Sequence, residues 1–222
     1  MAKHDRGAQA AAPYGTEGMR IGVLGGTFNP IHTGHLILAE QVREARELDK
    51  VLFIPAYSPP HKAAGEMAGP EHRLRMTRLA VEGNPRFEVS EIELRRMGTS
   101  YTFETIMQLR AQQPADSFFF IIGADTLPEL PSWFRFRDLL DACTILVGVR
   151  PRHDLDWAPL EKALAPEKAA KLRTGVVCTT PIGISSSDVR ARVRLGSTIR
   201  YIVPGAVEDY ILRHKLYAEA AG

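Results

Sequence analysis

The sequence predicts an α/β protein: a Rossmann-like, doubly wound, mostly parallel sheet with helices on both faces. Three observations predict it. Apolar, β-like runs alternate with helix-like stretches along the chain, and the first run ends in Gly-Gly before a turn that opens a helical pattern. The chain has 222 residues, 45% of them hydrophobic and 24% charged, enough to fill one well-packed domain. Strand–helix alternation needs right-handed crossovers, and these lay helices over both faces of a parallel sheet.

The elements follow in order. Residues 1–18 lack apolar periodicity and carry balanced charge, so they are expected to form a loose tail ahead of a single domain over 19–222. MRIGVLGG, residues 19–26, reads as a buried strand. A turn at Asn29-Pro30 leads into a helix over 34–47, with Thr33 as its expected N-cap. Further strands are expected at Lys50–Pro55, Ser117–Gly123, Ala142–Val149 and Thr174–Cys178, and helices near 71–83, 102–112, 136–141 and 159–172. Ser100 and Thr102 are both candidate caps for the helix at 102–112. Ser185 opens a last helix, and Asp188 three residues on completes a variant capping box.

Bulk charge excludes little and points to nothing large: 28 basic against 26 acidic residues leave +2, too small to argue for nucleic acid or a membrane surface as partner. Cys143 and Cys178, each in an apolar run, are expected to be buried, reduced thiols rather than metal ligands. Neither a membrane-spanning apolar window nor a signal-peptide core is legible, so a cytoplasmic location is expected.

In an open parallel sheet, ligands bind beyond the carboxyl ends of the strands, which directs attention to the first loop. There Gly25 and Gly26 allow a sharp turn and close approach to a ligand, and the helix start offers free N–H groups to an anion. The loop lacks the Gly-Lys-Ser/Thr of a P-loop and the spacing of a dinucleotide fingerprint. It carries His32 and His35 instead, able to point at one spot before the helix. Phosphoryl and nucleotidyl transfer need chiefly positioning and charge stabilisation, which paired imidazole donors supply. Locally, a glycine turn with two solvated histidines fits as well.

Three further segments carry candidate chemistry. Pro55 to Lys62 is a proline-stiffened loop ending in His61-Lys62, equally readable as a rigid surface loop. Asp125, just past an apolar run, is placed to accept ribose hydroxyls, and Trp133 offers a ring face or simple core packing. In 184–200, Arg190, Arg192, Arg194 and Arg200 stand against Asp188 alone, a local concentration of positive charge at a helix start. A capped surface helix with solvated arginines is the plain alternative.

The string GGTFNPIHTGH resembles the signature of the nucleotidyltransferase superfamily with a (T/H)xGH motif, and most closely that of the bacterial nicotinate-mononucleotide adenylyltransferases. P-x-x-x-P-P-H-K, S-Y-T-x-x-T, I-G-A-D-x-L-x-x-L-P-x-W and I-S-S-S-D-V-R resemble further segments of the same family, in the same order. The resemblance implies that His32 and His35 contact the ATP phosphates and stabilise the transition state, with Lys62 and Arg190 as further catalytic groups. It implies an ATP site at Gly25, Gly26, Thr27, Phe28, His35, Asp125, Ile184, Ser185, Ser186 and Arg190. It implies a nicotinate mononucleotide site at Asn29, His61, Tyr101, Thr102, Trp133 and Phe134. Glu104 stands where the family often has Asp, Phe134 where it often has Tyr, and Ser187 and Val189 replace Thr and Ile or Leu. The implied reaction is ATP plus nicotinate mononucleotide to deamido-NAD and pyrophosphate, with Mg²⁺ carried in on ATP and no metal site of the protein's own. Adenylyl transfer to nicotinamide mononucleotide or phosphopantetheine, and a non-catalytic nucleotide-binding regulator, are the rival readings.

Overall fold

β1 (Arg20–Gly26) is an apolar run with strict alternation: Ile21 and Val23 point to one face, Leu24 to the other. The same period of two recurs in β2 (Lys50–Pro55), β4 (Ser117–Gly123) and β5 (Thr144–Val149), so each strand buries both faces, as a parallel sheet requires. Short edge strands β3 (Phe87–Val89) and β6 (Val176–Cys178) complete a six-stranded sheet of order β3-β2-β1-β4-β5-β6. Every pairing is parallel. This is the computed structural model of the protein, and it describes residues 18–60, 67–150 and 155–218.

One face packs under α1 (Thr33–Ala45), α2 (Pro70–Val81), α8 (Ser186–Arg194) and α9 (Gly205–Arg213), with Leu24, Phe53 and Ile121 meeting Val42, Met76, Val189 and Ile211. The other face is covered by α4 (Thr102–Gln112), a 3₁₀ segment (Ala124–Ser132), α5 (Phe136–Ala142), α6 (Ala158–Ala163) and α7 (Pro166–Thr174). A five-residue α3 (Ile92–Arg96) bridges β3 to α4. The chain runs outward from β1 to β3, then returns past β1 to begin β4. The order in which strands are laid down therefore reverses between β1 and β4, where a crevice opens at their carboxyl ends. Among the described residues no helix is long and apolar enough to cross a membrane.

Several local expectations are corrected. His32, not Thr33, is the N-cap of α1; the Thr33 hydroxyl donates to the Tyr201 carbonyl at 3.2 Å instead. Neither Ser100 nor Thr102 caps α4, whose N-cap residue is Tyr101, because Ser100 Oγ is taken by the Tyr57 N–H at 2.9 Å. The helix expected at 159–172 is two helices, broken ahead of Pro166, which is accepted only in a first turn. β3 and α3 escape a periodicity reading because three and five residues hold too few repeats. Cys143 is partly exposed and Cys178, at the end of an edge strand, is exposed. Burial of the Cys143 thiol still pushes its pKa up to about 12, so it stays protonated.

The least expected core residue is Arg73, fully buried on α2. Its guanidinium donates to four carbonyls: Ala68 (3.0 Å), Thr27 (2.9 Å), Tyr57 (2.9 Å) and Ala56. Thr27 lies in the loop after β1, and Ala56 and Tyr57 in the loop after β2, so one side chain ties both strand ends to α2. Burial lowers its pKa, while Tyr217 and Glu93 nearby favour the charged form. Arg73→Met should cost roughly 3–5 kcal/mol, since buried carbonyls lose their donor together. The expected reading is a large fall in the urea midpoint; a midpoint equal to that of the unsubstituted protein would refute the role.

Candidate active site

The loop after β1 turns at Phe28, a non-glycine residue in the left-handed region (φ 47°), and passes through a cis Asn29-Pro30 peptide. The Phe28 ring is buried against Phe53 and stands edge-on to His35, with centroids 5.2 Å apart. His32 then starts α1 from an extended conformation. Its ring stacks on that of His35, with centroids 3.7 Å apart and planes at 28°. The His32 N–H donates to His35 Nδ1 at 3.2 Å. A neutral His35 whose Nδ1 accepts must carry its proton on Nε2, so the ring is set as a donor on its far side.

His32 is only 6% exposed, and its Nδ1 is buried without a hydrogen-bond partner among the described residues. Burial drives its pKa from 6.5 to about 4, against a smaller pull upward from Asp188. The imidazole is thus neutral at neutral pH. Gly34 between the two histidines has a steric reason: a Cβ there would lie 3.1 Å from His32 Nδ1 and 3.2 Å from its Cε1. A side chain there would require the ring to give by a few tenths of an ångström.

α8 delivers the second half of the site. Ser185 is its N-cap: Oγ accepts the Asp188 N–H at 3.1 Å and donates to Asp188 Oδ2 at 2.7 Å. Ser186 Oγ donates to the Pro30 carbonyl at 2.9 Å. Arg190 Nη1 donates to the Asn29 carbonyl at 2.9 Å, and Nη2 to Ser187 Oγ at 3.3 Å. These bonds pin the start of α8 to the loop that leads into α1, so two helix N-termini, each a positive dipole end, face one place.

That place is one end of a cleft of about 1400 Å³ at the carboxyl ends of β1, β4 and β5. Every expected site residue within the described segments lines it: Gly25, Gly26, Thr27, Phe28, Asn29, His32 and His35 from the end of β1 to the first turn of α1, Ile184, Ser185, Ser186 and Arg190 on α8 and just before it, and the residues of the other wall. His61 and Lys62 lie outside the described residues. On the other wall Tyr101 and Phe134 form a tilted ring pair, centroids 4.6 Å apart, beside Thr102. Trp133 lines the cleft while resting edge-on against Phe120 at 5.9 Å, so it both packs and faces the opening. Asp125 sits exposed at the start of the 3₁₀ segment.

Some side chains are less free than their sequence suggests. Asn29 Oδ1 already accepts the Ala68 N–H (3.0 Å) and the Tyr217 hydroxyl (2.8 Å), so Asn29 braces the loop rather than simply facing a ligand. Sequence reasoning also missed Glu93, Arg150, Thr179 and Thr180 on the lining. Arg150 and Thr179 follow β5 and β6, and the strand-end rule applied to those strands would have found them. Glu93 had no such signal: it is buried in short α3, its carboxyl raised by burial and bonded by Thr105 Oγ1 at 2.6 Å.

The family model for cytidylyltransferase-like proteins matches residues 23–192, and the chain belongs to that class of nucleotidyltransferases. Curated relatives narrow the class. A nicotinate-nucleotide adenylyltransferase of Geotalea daltonii is 44% identical over 90% of this chain and 98% of its own length, and one from Synechococcus is 41% identical over 94% and 99%. The chain belongs to the nicotinate-nucleotide adenylyltransferases. The fold agrees: the Plasmodium falciparum nicotinic acid mononucleotide adenylyltransferase, solved with NaAD, superposes with a TM-score of 0.70 at 18% identity, covering 90% of this chain and 97% of that one.

Because the folded protein holds His32 neutral down to about pH 4 while the unfolded chain protonates it near 6.5, protons favour the unfolded state between those values. Stability contributed by the neutral ring is intact above pH 6.5 and lost as pH falls to 4, by about 3 kcal/mol. Urea titrations of the unliganded protein should show this loss, and His32→Gln should flatten that part of the profile. Identical slopes for both proteins would show that His32 is not buried as described.

Proposed function

We propose that the protein transfers AMP from ATP to nicotinate mononucleotide, releasing pyrophosphate and forming deamido-NAD, a step of NAD synthesis. The observation that carries this reading is the meeting of two helix N-termini and a stacked histidine pair in one cleft whose opposite wall is aromatic. The acceptor 5′-phosphate oxygen attacks the α-phosphorus of ATP in line. One P–O bond forms as the bond to the pyrophosphate oxygen breaks, and no residue of the protein becomes covalently attached.

Each group has a task in that step. His35 Nε2–H and the neutral His32 ring meet the α-phosphate oxygens, where donors are worth most as charge shifts in the transition state. Ser185, Ser186, Arg190 and the α8 N–H groups take the β- and γ-phosphates, with Gly25, Gly26, Thr27 and Phe28 as the loop beneath and Ile184 beside them. Asp125 accepts from a ribose hydroxyl. Trp133, Phe134 and Tyr101 receive the pyridine ring, and N–H groups near Tyr101 and Thr102 meet its carboxylate. The resemblance further assigns His61 to acceptor binding and Lys62 to catalysis. Enzymes of this kind generally use a divalent cation. Mg²⁺ suits this site as part of the substrate MgATP, because the triphosphate supplies the hard oxygen ligands it prefers.

A pyrophosphate-release assay with ATP and each acceptor tests the reading. Nicotinate mononucleotide should be preferred over its amide by kcat/KM of about 10²-fold, because the amide NH₂ would face donors and leave buried groups unpaired. Equal values would overturn the acceptor pocket; turnover only with phosphopantetheine, or ATP binding without turnover, would favour the rival readings. Trp133→Ala should raise KM for the acceptor and leave KM for ATP alone, and Arg190→Ala should do the reverse.

His35→Ala should lower kcat by roughly 10²–10³-fold with a much smaller change in ATP affinity. An unchanged kcat would remove His35 from the mechanism.

A further inference from the structure

The segment after α9 returns to the phosphate-binding loop. Lys215 (φ 50°) and Tyr217 (φ 64°) both have left-handed backbone, which non-glycine residues keep only where the surroundings impose it. Leu216 packs against the core that contains Val207 and Ile211. The Tyr217 hydroxyl donates to Asn29 Oδ1 at 2.8 Å, 188 positions away in sequence. Asn29 is thereby gripped from three directions: Ala68 N–H and Tyr217 on the side chain, and Arg190 on the carbonyl.

The character of Tyr217 argues for more than packing. Burial pushes its ionisation upward, against the pull of the Arg190 and Arg73 guanidiniums, so it remains a hydroxyl donor at any working pH. Phenylalanine would fill the same space. What the hydroxyl adds is a fixed bond to the residue that precedes Pro30, on which Ser186 also closes. It also lies beyond residues 23–192, the stretch matched by the family model.

We propose that Tyr217 is a positioning residue for adenylyl transfer: through Asn29 it latches the turn on which His32, His35 and Arg190 converge. The proposal rests on the transfer reading above, and its test separates the two. Tyr217→Phe, Asn29→Ala, the double variant and Leu216→Ala are compared by kcat, both KM values, ATP affinity by calorimetry, and urea midpoint.

Tyr217→Phe should lower kcat and weaken ATP binding by about fivefold to tenfold, the scale of one hydrogen bond, with KM for nicotinate mononucleotide nearly unchanged and the urea midpoint lowered less than by Leu216→Ala. Added to Asn29→Ala it should cause little further loss, because both remove the same contact. Leu216→Ala should lower the urea midpoint and leave kcat within about twofold, since it loosens packing and keeps the hydroxyl bond. The latch is overturned if Tyr217→Phe leaves kcat and ATP affinity as they were, if the two losses multiply in the double variant, or if Leu216→Ala matches Tyr217→Phe in kcat. Should the unsubstituted protein turn over none of the acceptors, the transfer reading fails alone, and ATP affinity across the same variants still decides the latch.

Discussion

A guanidinium without water must find acceptors inside the protein, and loop carbonyls without a sheet partner must find donors. Arg73 and the loops after β1 and β2 answer both needs at once. Those loops leave the carboxyl ends of β1 and its neighbour β2, where regular pairing has ended and the cleft opens. With Thr27, Ala56 and Tyr57 held from below, the backbone can present Gly25, Gly26 and the two histidines upward into the cleft. The binding surface depends on this support although Arg73 is not on the cleft lining.

The cleft lining is built for anions without a large net charge. The whole chain carries +2, and its attraction comes instead from oriented N–H groups at two helix starts, from Arg190 and from imidazole donors. Neutral His32 fits that strategy, since a charged ring buried at that point would pay a desolvation penalty before any phosphate arrived. Neutral donors fixed in place need no reorganisation when charge shifts in a transition state. Their fixing explains the surrounding detail: Gly34 leaves room for the ring, His35 Nδ1 is occupied by a backbone N–H, and α8 is tied to Asn29 and Pro30.

Much of this was legible along the chain. The strand runs over 50–55 and 117–123 coincide with β2 and β4, because two-faced burial writes an unbroken apolar run. Ser185 with Asp188 marked the start of α8, because a cap is a contact between near neighbours. The site residues were found where motifs stand at strand ends and helix starts, and within the described segments all of them reach one cleft. Asn29 was legible as a site position and illegible as a brace.

The sequence by itself determined the α/β alternation, the two helix starts that border the cleft and the pair of histidines that line it. Each of these is local: periodicity, caps and motif spacing act within a few residues. Only the tertiary structure decided that Arg73 is buried under the loops, that α3 supplies Glu93, and that Tyr217 reaches Asn29. Those contacts join residues 46 (Arg73 to Thr27), 12 (Glu93 to Thr105) and 188 (Tyr217 to Asn29) positions apart. An arginine in a helix or a tyrosine after one looks the same in sequence whether it meets water or a carbonyl. Which it meets is settled by what the folded chain brings alongside, since a buried polar group is tolerated only where partners from elsewhere complete its hydrogen bonds.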